Sequence, residues 1–91
     1  MEKEPKERIS VSNLDEIIRK VKEKKSDVQV KKDHNSIIIQ KGSKKFVVNE
    51  DGIVKGSMPL HSFHTSNADS LEIRDDGIEV HYENGNYVFK I

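Results

Sequence analysis

His61 and His64 are spaced as H-x-x-H, Asp69 follows, and His81 stands in an alternating run near the C-terminus. Imidazole nitrogens and a carboxylate are common donors to a divalent transition metal. The H-x-x-H spacing brings both rings to one ion only on a helix or a turn. Pro59 and Phe63 in the same stretch argue for an irregular path. Short motifs of this kind also match by chance, so no metal and no cofactor is expected. Ser62, His64 and Asp69 supply the residue types of a hydrolytic triad, but a triad is defined by geometry. The surrounding sequence has neither a nucleophile elbow nor an oxyanion hole. Gly42, Gly52, Gly56, Gly77 and Gly85 are spaced as turns rather than as a phosphate-binding loop. Catalysis is not expected.

The second group with chemical potential is cationic. Residues 19–45 carry Arg19, Lys20, Lys22, Lys24, Lys25, Lys31, Lys32, Lys41, Lys44 and Lys45 against Glu23, Asp27 and Asp33. A helix end and two strands would gather Arg19, Lys20, Lys24, Lys25, Lys31, Lys32, Lys41, Lys44 and Lys45 into an anion or nucleic-acid face. A solvated lysine face is the commoner outcome. The stretch holds one arginine and no Phe, Tyr or Trp, and Phe46, the residue after it, is expected to point inward. Base-edge reading favours Arg, Asn or Gln, and base stacking needs exposed rings. Nucleic-acid binding is therefore the secondary reading, weak and driven by charge. Residues 1–48 hold 13 Lys/Arg and 8 Asp/Glu, whereas residues 49–91 hold 3 and 8. Such asymmetry points to a partner or simply to how a polar surface is spread.

The elements that must position these residues are mostly strands. Ile and Val supply 19 of the 25 Leu, Ile, Val and Phe residues, a composition that favours β structure. Asn84-Gly85 and Asp76-Gly77 read as hairpin turns. Closing there pairs Ile78 with Ile91, Val80 with Phe89 and Tyr82 with Tyr87. It also pairs Ile73 with Val80, Glu72 with His81 and Leu71 with Tyr82. One face of this C-terminal meander is apolar and the other is charged, so it needs a cover. Closing a second hairpin at Gly42-Ser43 pairs Ile39 with Phe46 and Ile37 with Val48. Its other face carries Ile38 and Val47. These two residues are buried if the sheet curls, and an interaction patch if it does not.

Asn13 with Glu16 fits a capping box. Leu14, Ile17, Ile18 and Val21 follow as one helical stripe, with lysines in the last turn, where they suit the helix dipole. The stripe is expected to cover Ile73, Val80 and Phe89. Asp33-His34-Asn35 reads as a turn after a first strand containing Val28 and Val30. Lys55 to Asp69 is the one long irregular stretch, with Met58, Leu60 and Phe63 as anchors and room for a short strand within residues 57–63.

The expected architecture is α+β: one N-terminal helix packed on a mostly antiparallel meander sheet of about six strands, flat or curled like a barrel. Residues 1–11 are expected to be a flexible charged tail and residues 12–91 a single compact domain. With no cysteine, disulfides and thiolate zinc sites are excluded. No apolar run reaches membrane-spanning length and no signal-peptide core precedes the domain, so no membrane association and a cytoplasmic location are expected. The expected function is that of a small non-enzymatic binding or regulatory module. It would act through a protein partner or a homodimer, with nucleic acid as the alternative partner.

Overall fold

The hairpin at Gly42-Ser43 lies at the centre of the larger of two sheets. In the computed structural model, which describes residues 8–91, β3 (Ser36–Lys41) and β4 (Lys44–Asn49) pair antiparallel. Ile37 lies opposite Val48, Ile38 opposite Val47, and Ile39 opposite Phe46, the register the sequence predicts. Gly42 has φ 61°, the left-handed conformation that a tight primed turn requires. On one side, β2 (Gln29–Asp33) joins β3 through His34-Asn35, where His34 also has positive φ. On the other side follow β5 (Val54–Met58) and β6 (His61–Thr65). The five strands form one meander in the order β2-β3-β4-β5-β6.

The second sheet has the order β1-β7-β8-β9, built from Ile9–Ser10, Ala68–Arg74, Gly77–Tyr82 and Gly85–Phe89. The helix α1 (Leu14–Lys24) packs on β7, β1 and β3 and so spans the two sheets. Its stripe is buried as expected: Leu14, Ile17 and Val21 are buried and Ile18 packs against the core. Of the predicted cover it packs on β7, which carries Ile73, whereas Phe89 meets Phe46 and Gly56 of the five-stranded sheet. Asn13 is the N-cap, but its side chain makes no capping hydrogen bond. The core lies between the sheets, where Ile37, Ile39, Phe46, Val48 and Val54 of one face Leu71, Ile78, Val80 and Phe89 of the other. Phe46 and Phe89 are in contact across it, with ring centroids 5.0 Å apart. The expectation of α+β architecture with antiparallel strands holds. Among the described residues the strands number nine rather than about six, and they divide into two sheets with no barrel-like closure.

Three local expectations are corrected. Both C-terminal hairpins close one residue pair earlier than predicted, at Asp75-Asp76 and Glu83-Asn84. Ile73 therefore pairs with Ile78, and Val80 with Tyr87. Gly77 is not a turn residue with positive φ; a Cβ there would collide with the Phe89 carbonyl oxygen. A shift of two residues per pair leaves each side chain on its predicted face, since the side-chain period is two. The stretch 55–69 is not irregular. It forms the β5–β6 hairpin, turning at Pro59-Leu60. Leu60 is not an anchor but is 99% exposed, whereas Met58 and Phe63 do pack against the core. Ile9 and Ser10, expected in the tail, pair with Leu71 and Ser70 as β1, and Ile9 and Val11 are buried. The rest of the expected tail, residues 1–7, lies outside the described residues.

At the far side of the core from α1, an aromatic seam joins β6 to the second sheet. Phe63 stacks on Tyr87 at 4.2 Å and lies against Tyr82 at 5.7 Å, while His61 stacks on Tyr87. On the outer face of the second sheet, Glu79 accepts hydrogen bonds from Arg74 and Asn86. Burial pushes the Glu79 carboxyl up, but the Asn86 hydrogen bond, the charge of His81 and the Arg74 contacts outweigh it. The group is held below the ordinary carboxylate range.

Candidate functional site

Strand alternation divides the five-stranded sheet cleanly. Ile37, Ile39, Phe46, Val48 and Val54 point to the core, so Lys31, Ile38, Val47, Lys55 and His64 point away from it. The pairing register lines these five up in one row across the whole sheet: Lys31 opposite Ile38, Ile38 opposite Val47, Val47 opposite Lys55, Lys55 opposite His64. The next row is Gln29, Gln40, Lys45, Ser57 and Ser62. Ile53 extends the apolar centre beside Val47, since the Asn49 N–H donates to the Ile53 carbonyl and continues the ladder by one residue. Ile53 is 37% exposed, and Ile38 and Val47 are half-buried.

An open groove of about 420 Å³ lies along the β5–β6 side of this surface, lined by Lys55, Gly56, Ser57, Ser62, Phe63 and His64. The helix packs on the opposite side of the sheet, where the Lys32 amine on β2 reaches Asp15 of α1 at 3.0 Å. Among the described residues, then, the Ile38/Val47 patch is not covered by a curled sheet.

The predicted cationic face does not assemble as one surface. Arg19 is paired with Glu16, and the Lys20 amine lies 3.7 Å from Glu23. Lys24 lies 3.8 Å from Asp75. Lys25 is the clearest correction: it is 6% exposed, and its amine donates to the Asp75 carbonyl at 2.9 Å. It clasps the β7–β8 turn to the helix and cannot meet an external anion. Lys32 is engaged by Asp15, and Lys44 donates to the Lys90 carbonyl. Lys41 holds Asp27 at 2.8 Å. That hydrogen bond, a backbone hydrogen bond and the lysine's charge keep the Asp27 carboxyl below its ordinary value. Of the predicted set, Lys31 and Lys45 remain, both on the outer sheet face. Among the described residues neither they nor Lys55 enters an ion pair. Among the described residues, Asp33, at the rim, is the one carboxylate on the paired positions of that face.

The histidine pair is separated by the strand itself. His61 and His64 lie an odd number of residues apart on β6, so their side chains leave opposite faces. His61 joins the aromatic seam and His64 the outer row. Ser62 shares the outer face with His64, but Asp69 is an exposed residue at the β7 bulge, in the other sheet. Neither an H-x-x-H chelate nor a triad is formed. Sequence reasoning missed Ile53, Lys55, Ser57 and His64 as members of one face. The available signal was parity with Val47 across β5 and β6, hidden because residues 55–65 lack a regular apolar alternation.

The chain matches no protein-family model, no curated protein and no solved structure. Among the described residues no helix is long and apolar enough to cross a membrane.

Proposed function

We propose that the protein is a non-enzymatic binding module whose five-stranded sheet docks an acidic segment of a protein partner on its outer face. The observation that carries this reading is the row Lys31, Ile38, Val47, Lys55 and His64, an aliphatic centre flanked by lysines without ion-pair partners among the described residues. Unlike Lys20 and Lys24 of α1, these cations pair with no carboxylate among the described residues. A segment that alternates carboxylates with aliphatic side chains satisfies both features: its acids reach Lys31, Lys45 and Lys55 while its apolar residues cover Ile38, Val47 and Ile53. A twofold contact through this face would set lysine against lysine, so charge favours a different chain as the partner over a second copy. Nucleic acid is the weaker reading because the phenylalanines point inward and the face offers no aromatic platform or arginine fork.

The test is fluorescence anisotropy with a labelled peptide alternating glutamate and valine, run beside a labelled duplex DNA and a labelled single-stranded RNA. The expected result is saturable peptide binding that K31E/K55E weakens by about tenfold, as two exposed pairs of up to about 1 kcal/mol each imply. The double variant should keep the wild-type fold. Tighter binding of DNA or RNA, falling steeply with salt, or peptide binding indifferent to K31E/K55E, would overturn the proposal.

A further inference from the structure

The outer face of the other sheet holds three ionisable side chains where a flat, solvated surface would be expected. Glu72 and Glu79 lie directly opposite each other on β7 and β8, and His81 is the next residue on the same face of β8. Like charges opposed across a ladder repel. Yet Glu72 is 8% and Glu79 6% exposed, so water does little to screen them. Glu79 is supported by Arg74, which donates to its Oε1 at 3.2 Å, and by Asn86, which donates to Oε2. Glu72 has no such support: its Oε1 is buried and accepts no hydrogen bond among the described residues, and the same holds for His81 Nε2. These two unsatisfied atoms point at each other across 3.6 Å, and His81 Nε2 lies 3.9 Å from Glu79 Oε2. A buried polar atom without a partner is rare and calls for an explanation, a bound ion or water among them.

We propose that Glu72, Glu79 and His81 form a binding site for a divalent transition metal, with Glu72 Oε1, Glu79 Oε2 and His81 Nε2 as the protein donors. The three atoms lie within 4.8 Å of one another. Donors about 2.0–2.2 Å from a zinc-like ion stand roughly 3.4 Å apart in a tetrahedron, so small side-chain adjustments close the observed separations around one ion. One imidazole and two carboxylates suit zinc and its first-row neighbours better than calcium or magnesium, which prefer all-oxygen shells. A divalent charge cancels the repulsion between the two glutamates and gives both orphaned atoms a partner. Arg74, bonded to the other Glu79 oxygen, fixes that carboxylate as outer partners of metal ligands commonly do. With three protein donors, water completes the shell, and the site lies on the opposite side of the molecule's core from the outer face of the five-stranded sheet.

The test is calorimetric titration of zinc into the metal-free full chain, followed by X-ray absorption spectroscopy of the zinc-loaded protein. The expected result is one ion bound per chain, a higher melting temperature, and a nitrogen/oxygen shell containing one imidazole. E72Q and H81Q should each weaken binding at least about tenfold while keeping the wild-type amide spectrum. Absence of uptake, a shell with two imidazoles, or affinity unaffected by both substitutions would overturn the proposal. The spectroscopic arm uses the unsubstituted protein and decides the matter even if a variant fails to fold.

Discussion

Phe89→Ala is the sharpest probe of the sheet-to-sheet packing. Phe89 is 1% exposed and lies against Phe46 across the core, and Gly56 on β5 leaves room for its ring. A methyl group on Gly56 would sit 2.8 Å from two Phe89 ring carbons, well inside contact distance. Removing the ring should cost about 3–5 kcal/mol. At about 0.05–0.15 kcal/mol per residue, a chain of 91 residues has roughly 5–14 kcal/mol in total. The loss is thus a large share of the stability and should lower Tm by about 15–30 °C. Gly56→Ala alone should destabilise by about 1–3 kcal/mol through overpacking. In the Phe89→Ala background that clash is gone and the methyl group fills part of the cavity. The double variant should therefore be more stable than the sum of the single effects by about 1 kcal/mol or more. Urea denaturation followed by circular dichroism measures all four proteins. A Phe89→Ala variant within about 1 kcal/mol of wild type, or a Gly56→Ala cost that is equal in both backgrounds, would refute the packing described.

Other outcomes follow from single contacts. Lys25→Met should cost about 1–3 kcal/mol by freeing the Asp75 carbonyl, with amide shifts concentrated at Asp75-Asp76; a neutral substitution would mean that the clasp contributes nothing. Leu60→Ser, at a fully exposed turn, should change stability by no more than about 0.5 kcal/mol, as read from the same urea curves. The Asp27 carboxyl, held low by Lys41, should titrate below the ordinary aspartate range in carbon-detected NMR, and Lys41→Gln should move it back up. Because the folded value is the depressed one, the pair's contribution to stability is present above the ordinary aspartate pKa and fades as pH falls through the folded value. An Asp27 titration unmoved by Lys41→Gln would assign the shift to the backbone instead.

The legibility of the fold in the sequence differed from hairpin to hairpin. Gly42-Ser43 was readable because Gly42 does what a turn glycine is expected to do, adopting positive φ between two alternating runs. Gly77 misled because it is needed for a different reason, the close approach of the Phe89 backbone, which depends on a strand distant in sequence from the turn. The core faces nonetheless came out right, since the error was an even number of residues. The β5–β6 hairpin was obscured by its composition. Gly56, Ser57, Ser62 and His64 leave no hydrophobic period, and the strand is held by Phe63 through aromatic contacts with Tyr82 and Tyr87. Of the candidate surface, the sequence showed Ile38, Val47, Lys31 and Lys45. It could not show that Lys25 is buried or that most other lysines are internally paired, because those partners, Asp15 and Asp75 among them, are set by tertiary packing. The Glu72–Glu79 opposition was hidden by the same two-residue register error, which placed His81 opposite Glu72 instead.

The most direct test of the docking face is an amide NMR titration of the labelled protein with the alternating glutamate–valine peptide at moderate salt. The expected shifts are confined to the outer row of the five-stranded sheet, centred on Lys31, Ile38, Val47 and Lys55 and extending to Lys45 and His64, with the α1 resonances unmoved. Shifts centred instead on α1, or on the outer face of the sheet that carries Glu72 and Glu79, would contradict it.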